Sequence, residues 1–152
     1  MSGKASAINT FSAISGSTSR DGMKKAKVVY WSTTGIIAAV MLSSGLYFAF
    51  SPEMKQGFIH LGLPNWFRVE LTIAKLLGAI ALVVPAIPAR IKEFAYFGFG
   101  IVLVSASVAH LSSGDGFLFE IGHWMFFITL VVSYLYFHKL TDGRAPIVRL
   151  EA

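Results

Sequence analysis

The chain contains no cysteine, which excludes disulfides, thiol redox chemistry, iron–sulfur ligation and thiolate metal sites from it acting alone. Charge is scarce as well. Asp, Glu, Lys and Arg together make up 14% of the 152 residues, against roughly a quarter in an ordinary soluble domain. Acidic residues are the rarer sign, 8 against 13 basic, for a formal net charge of +5. With 55% hydrophobic residues and a mean hydropathy of +0.64, the chain carries more apolar surface than a water-facing domain of this length can bury. Lipid is the solvent such a composition requires. Also missing are a phosphate loop, a nucleophile elbow, a zinc hydrolase motif and a dinucleotide fingerprint. The basic residues flank apolar runs instead of interleaving with aromatics on one patch, so nucleic acid is not an expected partner.

Four apolar runs are present, at 29–50, 69–87, 94–111 and 117–137. Each is close to the roughly 20 residues a helix needs to cross a hydrocarbon core, and none shows the polar face a soluble bundle would. Glycines within them are compatible with helices that approach one another closely in lipid. The connections PAIPARIKE and SSGDG are short, which makes consecutive helices antiparallel neighbours. The expected fold is therefore all-α, an integral membrane four-helix up-down bundle. The first connection, SPEMKQGFIHLGLPNWFRVE, is long enough for a short interfacial helix from Pro52 to about His60, with Pro52 suited to a first turn and Gly62 to a stop. Residues 1–27, rich in Ser, Gly and Ala, read as a flexible basic cytoplasmic tail, 28–138 as the membrane domain, and 139–152 as a second short basic tail. The first apolar run is too long for a secretory signal and is expected to stay as an anchor.

Lys4, Arg20, Lys24, Lys25, Lys27, Arg90, Lys92, Lys139, Arg144 and Arg149 fall on one side of such a bundle, and Lys55 and Arg68 on the other. Basic residues collect on the cytoplasmic side, so both termini are expected there. Lys75, inside AKLLGAIALVVP, is left at membrane depth.

From Tyr30 to His138 the chain resembles the DoxX-like family of small four-span bacterial membrane proteins. The pieces that carry the resemblance are YWSTTG, HLGLPNWF, IAKLLGAIALVVP, RIKEFAYFGFG, AHLSSGD and SYLYFHKL, in this order. The resemblance implies the fold and the membrane location. The wider group is named for a subunit of a quinone-linked oxidoreductase, so the resemblance also brings in quinone as a candidate cofactor.

An ionisable group at membrane depth costs about 2.5–3.5 kcal/mol on insertion scales and is a functional candidate by default. Lys75 lies about six residues, roughly 9 Å, below the outer end of the second span. Ser43, Ser105 and His123 reach similar depth on other helices, with Glu70, His110 and Glu120 shallower. These seven form the candidate polar pocket, while the inner half reads as Ile, Leu, Val and Ala. Glu120 and His123 share a face of the fourth span, and a Lys75–Glu120 ion pair would offset the cost of burial. The Glu-x-x-His spacing occurs in di-iron bundles, but these need two such motifs and two further Glu, so no metal is expected. Lys92 and Glu93 are expected to form an interface ion pair, and His60 to be simply exposed. The functional expectation is a non-catalytic subunit or partner-binding membrane protein, not an enzyme on its own. It would work in the lipid bilayer as a homo-oligomer or with a membrane protein partner. The alternative is a quinone-interacting oxidoreductase component, or a small-molecule or proton-conducting protein.

Overall fold

A computed structural model describes residues 3–142 of the chain; side-chain surroundings are described from residue 20 onward, apart from residues 118 and 119. The C-terminal tail, 143–152, lies outside the described residues. Five helices follow in order: α1 (Gly3–Phe50), α2 (Pro52–His60), α3 (Asn65–Val83), α4 (Ala89–Ser112) and α5 (Phe117–Asp142). The backbone of α1 is continuous helix from Gly3, through the segment that reads by composition as a tail. Its part from Arg20 to Lys27 is held by burial, since Ala26 is 1% exposed and Met23 packs on the core.

The helix ends follow local chemistry. Ser51 caps α2, its hydroxyl accepting the Met54 N–H at 3.3 Å, with Pro52 in the first turn. Gly62, at φ 70°, supplies the left-handed turn that stops α2, and the Leu63 N–H closes on the Phe58 carbonyl at 2.8 Å. Pro64 and Pro88, both extended, precede α3 and α4. Gly114, at φ 76°, turns the chain between α4 and α5.

The four long helices pack as a ring in which α1 touches α3 and α5, and α4 touches the same two. Consequently α3 and α5 stand on one diagonal and α1 and α4 on the other. The core is Ile37, Ala38, Met41, Ala79, Leu82, Phe99, Leu103 and Leu130 in the middle, with Ala26, Tyr30, Tyr96, Phe137 and Leu140 toward the end that carries the termini. Close approach needs small residues at two places. Gly78 of α3 takes the Phe99 ring of α4, and Gly45 of α1 takes Leu76 of α3.

The outside is as apolar as the inside: Phe94, Phe97, Leu111, Phe117 and Met125 are all more than 60% exposed. A surface of that kind is covered by lipid. Helices α1 (from Arg20), α4 and α5 are long and apolar enough to cross a membrane. Helix α3 has 19 residues, enough for about 28 Å of rise, but carries Arg68, Glu70 and Lys75. The molecule is an all-helical membrane bundle, with α2 lying across one end.

Candidate functional site

Polar groups form two layers, one at the α2 end of the bundle and one at the end carrying the termini. At the α2 end, Lys75 is 7% exposed and lies in the seam between α3 and α1. Its ammonium donates to Ser44 Oγ at 3.4 Å and sits 3.7 Å from the centroid of the Phe48 ring, a cation–π contact that offsets part of its desolvation. About two turns toward the α2 end, Arg68 Nη1 donates to the Phe48 carbonyl, and its Nε to Asn65 Oδ1 at 3.0 Å. Among the described residues no ion pair joins Lys75 to Glu120. The ring order is the reason: α3 and α5 are diagonal partners, and Lys75 is turned toward α1.

The seven residues selected from sequence therefore separate. Lys75 and Glu120 are buried and His110 and His123 are partly buried, whereas Glu70, Ser43 and Ser105 are exposed on outward faces. Depth alone selected the two serines, but rotation about the helix axis takes them outward. Ser43 satisfies its hydroxyl on the Val40 carbonyl of its own helix at 3.1 Å, the back-bonding that lets serine face lipid.

Asp115, which was not selected, organises the rest of this layer. Its two carboxylate oxygens accept from His60 Nε2 at 3.0 Å and His110 Nδ1 at 2.6 Å, and the His110 and His123 rings lie 5.3 Å apart. His60 is thus the α2 end of a strap tying α2 to the α4–α5 turn, rather than simply an exposed loop residue. The hydrogen bond from His110, followed by that from His60, holds the Asp115 carboxyl below the usual carboxylate range. The sequence signal was a His five residues before an Asp across a Gly turn. Glu120 is 5% exposed, and among the described residues its Oε1 has no hydrogen-bond partner. Among the described residues no three His, Asp or Glu converge to hold a metal ion.

The other layer corrects the expectation of an inner half made only of aliphatic residues. Ser133 of α5, fully buried, lies 2.7 Å from both Thr34 of α1 and Tyr96 of α4, joining three helices. Lys92 does not pair with Glu93. Its ammonium donates to the Leu82 carbonyl at the end of α3 at 3.1 Å, where a cation complements the helix dipole, and Glu93 faces His138 at 3.7 Å. Between the two layers lie Ile37, Ala38, Met41, Leu103 and Leu130, an apolar plug.

Two hollows open sideways. One, of about 310 Å³, runs between α4 and α5 past Tyr96, Gly100, Val104, Phe127 and Tyr134. The other, of about 410 Å³, lies beside the first turns of α5 and is bounded by Glu120, Leu111, Trp124 and Ile128. No curated protein and no solved structure matches the chain. The profile of the DoxX-like family matches residues 32–134, which takes in α3 and α4 whole, much of α1 and α5, the Asp115 strap and the Thr34–Ser133–Tyr96 network, so this chain belongs to the DoxX-like family.

Proposed function

We propose that this chain is a non-catalytic membrane subunit that acts by binding a second transmembrane protein or a second copy of itself. The observation that carries the reading is the outward face of α1. Gly35, Ala39 and Ser43 recur there at four-residue spacing, all exposed, and a Cβ built on Gly35 meets nothing within 4 Å. Helices in lipid associate through such small-residue faces because backbones can approach closely there. The apolar plug between the polar layers supports a subunit over a conducting protein, since a proton path would have to cross Ile37, Met41, Leu103 and Leu130 without a polar stepping point. Quinone binding is the second reading. It draws on the groove between α4 and α5, whose tyrosines stand at one end of an otherwise apolar track.

The test is the molecular mass of the full chain in polymer-extracted native nanodiscs. A complex larger than one chain is expected, and G35L with A39L should reduce it to the monomer while leaving the thermal stability of the bundle unchanged. A wild-type protein that is already monomeric under these conditions overturns the reading. Quinone extracted in stoichiometric amount from the same nanodiscs would favour the second.

A further inference from the structure

We propose that the hollow beside the first turns of α5 binds an ammonium-headed amphiphile, with Glu120 accepting the head group's N–H and the apolar wall below holding its hydrocarbon part. The first observation is the carboxyl itself. Glu120 is 5% exposed, and among the described residues Oε1 has no hydrogen-bond partner, a situation native structures avoid unless something absent satisfies the group. The second is the cavity of about 410 Å³ that Glu120 lines. Its other walls are Leu111, Phe117, Ile121, Trp124, Met125 and Ile128, and these match a hydrocarbon chain, not a polar solute.

The third observation is depth. Glu120 is the fourth residue of a helix that starts at Phe117, roughly 4–5 Å along the axis from its end, which is head-group level. From Glu120 the wall descends through Ile121, Trp124 and Met125 to Ile128, about 12 Å deeper, in the direction a lipid chain takes. The charge sign follows from donor chemistry. The orphan carboxyl oxygen is an acceptor that needs a donor, an ammonium N–H is a strong one, and the Trp124 indole one turn below adds a face that cations favour. The buried Lys75 does not serve as that partner, because it is turned into the α1–α3 seam on Ser44 and Phe48. Oε1 is itself covered, so the head group meets it after a rotation of the Glu120 side chain toward the cavity it already borders.

Two sources share this chemistry: a phospholipid with a primary-amine head, and a free long-chain amine. The full chain is placed in nanodiscs holding equal amounts of phosphatidylethanolamine and phosphatidylcholine with matched chains, and retained lipid is counted by native mass spectrometry. Because the choline head has no N–H, wild type is expected to retain the ethanolamine lipid by about tenfold over it. E120Q should lose that preference with its thermal stability measured in parallel, and W124L should lower retention of both lipids while keeping the preference. If E120Q does not fold, E120D is used; it keeps the charge with a shorter reach and should retain the ethanolamine lipid less well but still selectively. In a second arm, dodecylamine is added. Glu120-dependent dodecylamine binding with no lipid preference supports the site with a free amine as its occupant. Equal retention of both lipids together with amine binding that ignores Glu120, or a preference that survives E120Q, overturns the proposal. The site lies on α5, away from the small-residue face of α1, so failure of either proposal leaves the other standing.

Discussion

Gly78→Ala adds one methyl group where α3 and α4 touch, and its effect follows from three distances. An ideal Cβ there would sit 2.6 Å from Phe99 Cζ and 2.8 Å from Cε1, with Cε2 at 3.5 Å. Ordinary carbon–carbon contact is about 3.5–4.0 Å, so the ring edge is roughly 1 Å too close. Phe99 is 3% exposed and part of the core, so its ring has no free volume to swing into, and either the helices separate or the ring leaves its rotamer. Overpacking of this kind costs about 1–3 kcal/mol. Alanine returns roughly 0.5–1 kcal/mol through its better helix propensity, leaving a net loss of roughly 0–2.5 kcal/mol, near 1 kcal/mol at the middle of the range. The assay is equilibrium unfolding in mild micelles titrated with a denaturing detergent, followed by far-UV circular dichroism. Phe99→Leu trims the ring, so the double variant should be less destabilised than the sum of the two singles, the coupling a double-mutant cycle isolates. A Gly78→Ala protein as stable as wild type whose effect is also strictly additive with Phe99→Leu would refute the claim that Phe99 is pressed against the α3 backbone.

Ser133→Ala should cost roughly 1–2 kcal/mol in the same assay, since it removes the shared partner of Thr34 and Tyr96 and interhelical hydrogen bonds in membranes average about 0.6 kcal/mol with a maximum near 1.7. Lys75→Met and Glu120→Gln should be additive within about 0.5 kcal/mol, because the two residues do not form an ion pair; strong coupling would mean that the diagonal is bridged after all. Asp115 has a folded-state pKa held below its unfolded value of about 3.9. The stability it contributes is therefore full above that value and lost as pH falls through the lower one. Asp115→Asn should make the acid limb of stability against pH shallower, and an unchanged limb would show that the strap does not contribute. Finally, reporters fused after residue 152 and within the 52–65 connection should report opposite sides of the membrane, since α3, α4 and α5 lie between them. Finding both on one side would mean that α3 does not span.

The helices were readable in the sequence because apolar run length and cap chemistry act locally. Pro52, Gly62 and Gly114 stand at the boundaries their types favour, and α2 has the predicted ends. Helix bounds and apolar runs do not coincide: α3 starts at Asn65 and α4 at Ala89, directly after prolines, α5 continues to Asp142, and α3 ends at Val83, ahead of Pro85, although its apolar run continues to 87. Hydropathy marks where lipid begins and not where backbone hydrogen bonding ends. The polar site was less legible, because depth is encoded along the chain while facing direction depends on rotation against neighbours. Ser43 and Ser105 had the right depth and the wrong rotation. The Lys75–Glu120 pair could have been rejected from connection lengths. Two tight turns put α3 beside α4 and α4 beside α5, and in a ring of four this sets α3 across from α5. The Thr34–Ser133–Tyr96 network left no sequence signal, because its members are 62 and 99 positions from Thr34 and each looks unremarkable within its own helix.

Lys92 reaches back only ten residues to the Leu82 carbonyl, and loops this short close at small entropic cost. Together with Phe99 on Gly78, that contact makes α3 and α4 a hairpin whose fastenings are all local. Such a unit can be complete while the rest of the chain is still being synthesised, since domains and their parts form in the order the ribosome releases them. Helix α5 comes last and supplies Ser133. Until then the Thr34 and Tyr96 hydroxyls have one another, 3.5 Å apart in the finished bundle. A chain stopped before α5 is expected to keep the hairpin and the α1–α3 seam at the α2 end, where Arg68 and Lys75 hold Phe48 and Ser44, but to leave the other end of α1 unfastened, with α5 acting as the bolt there.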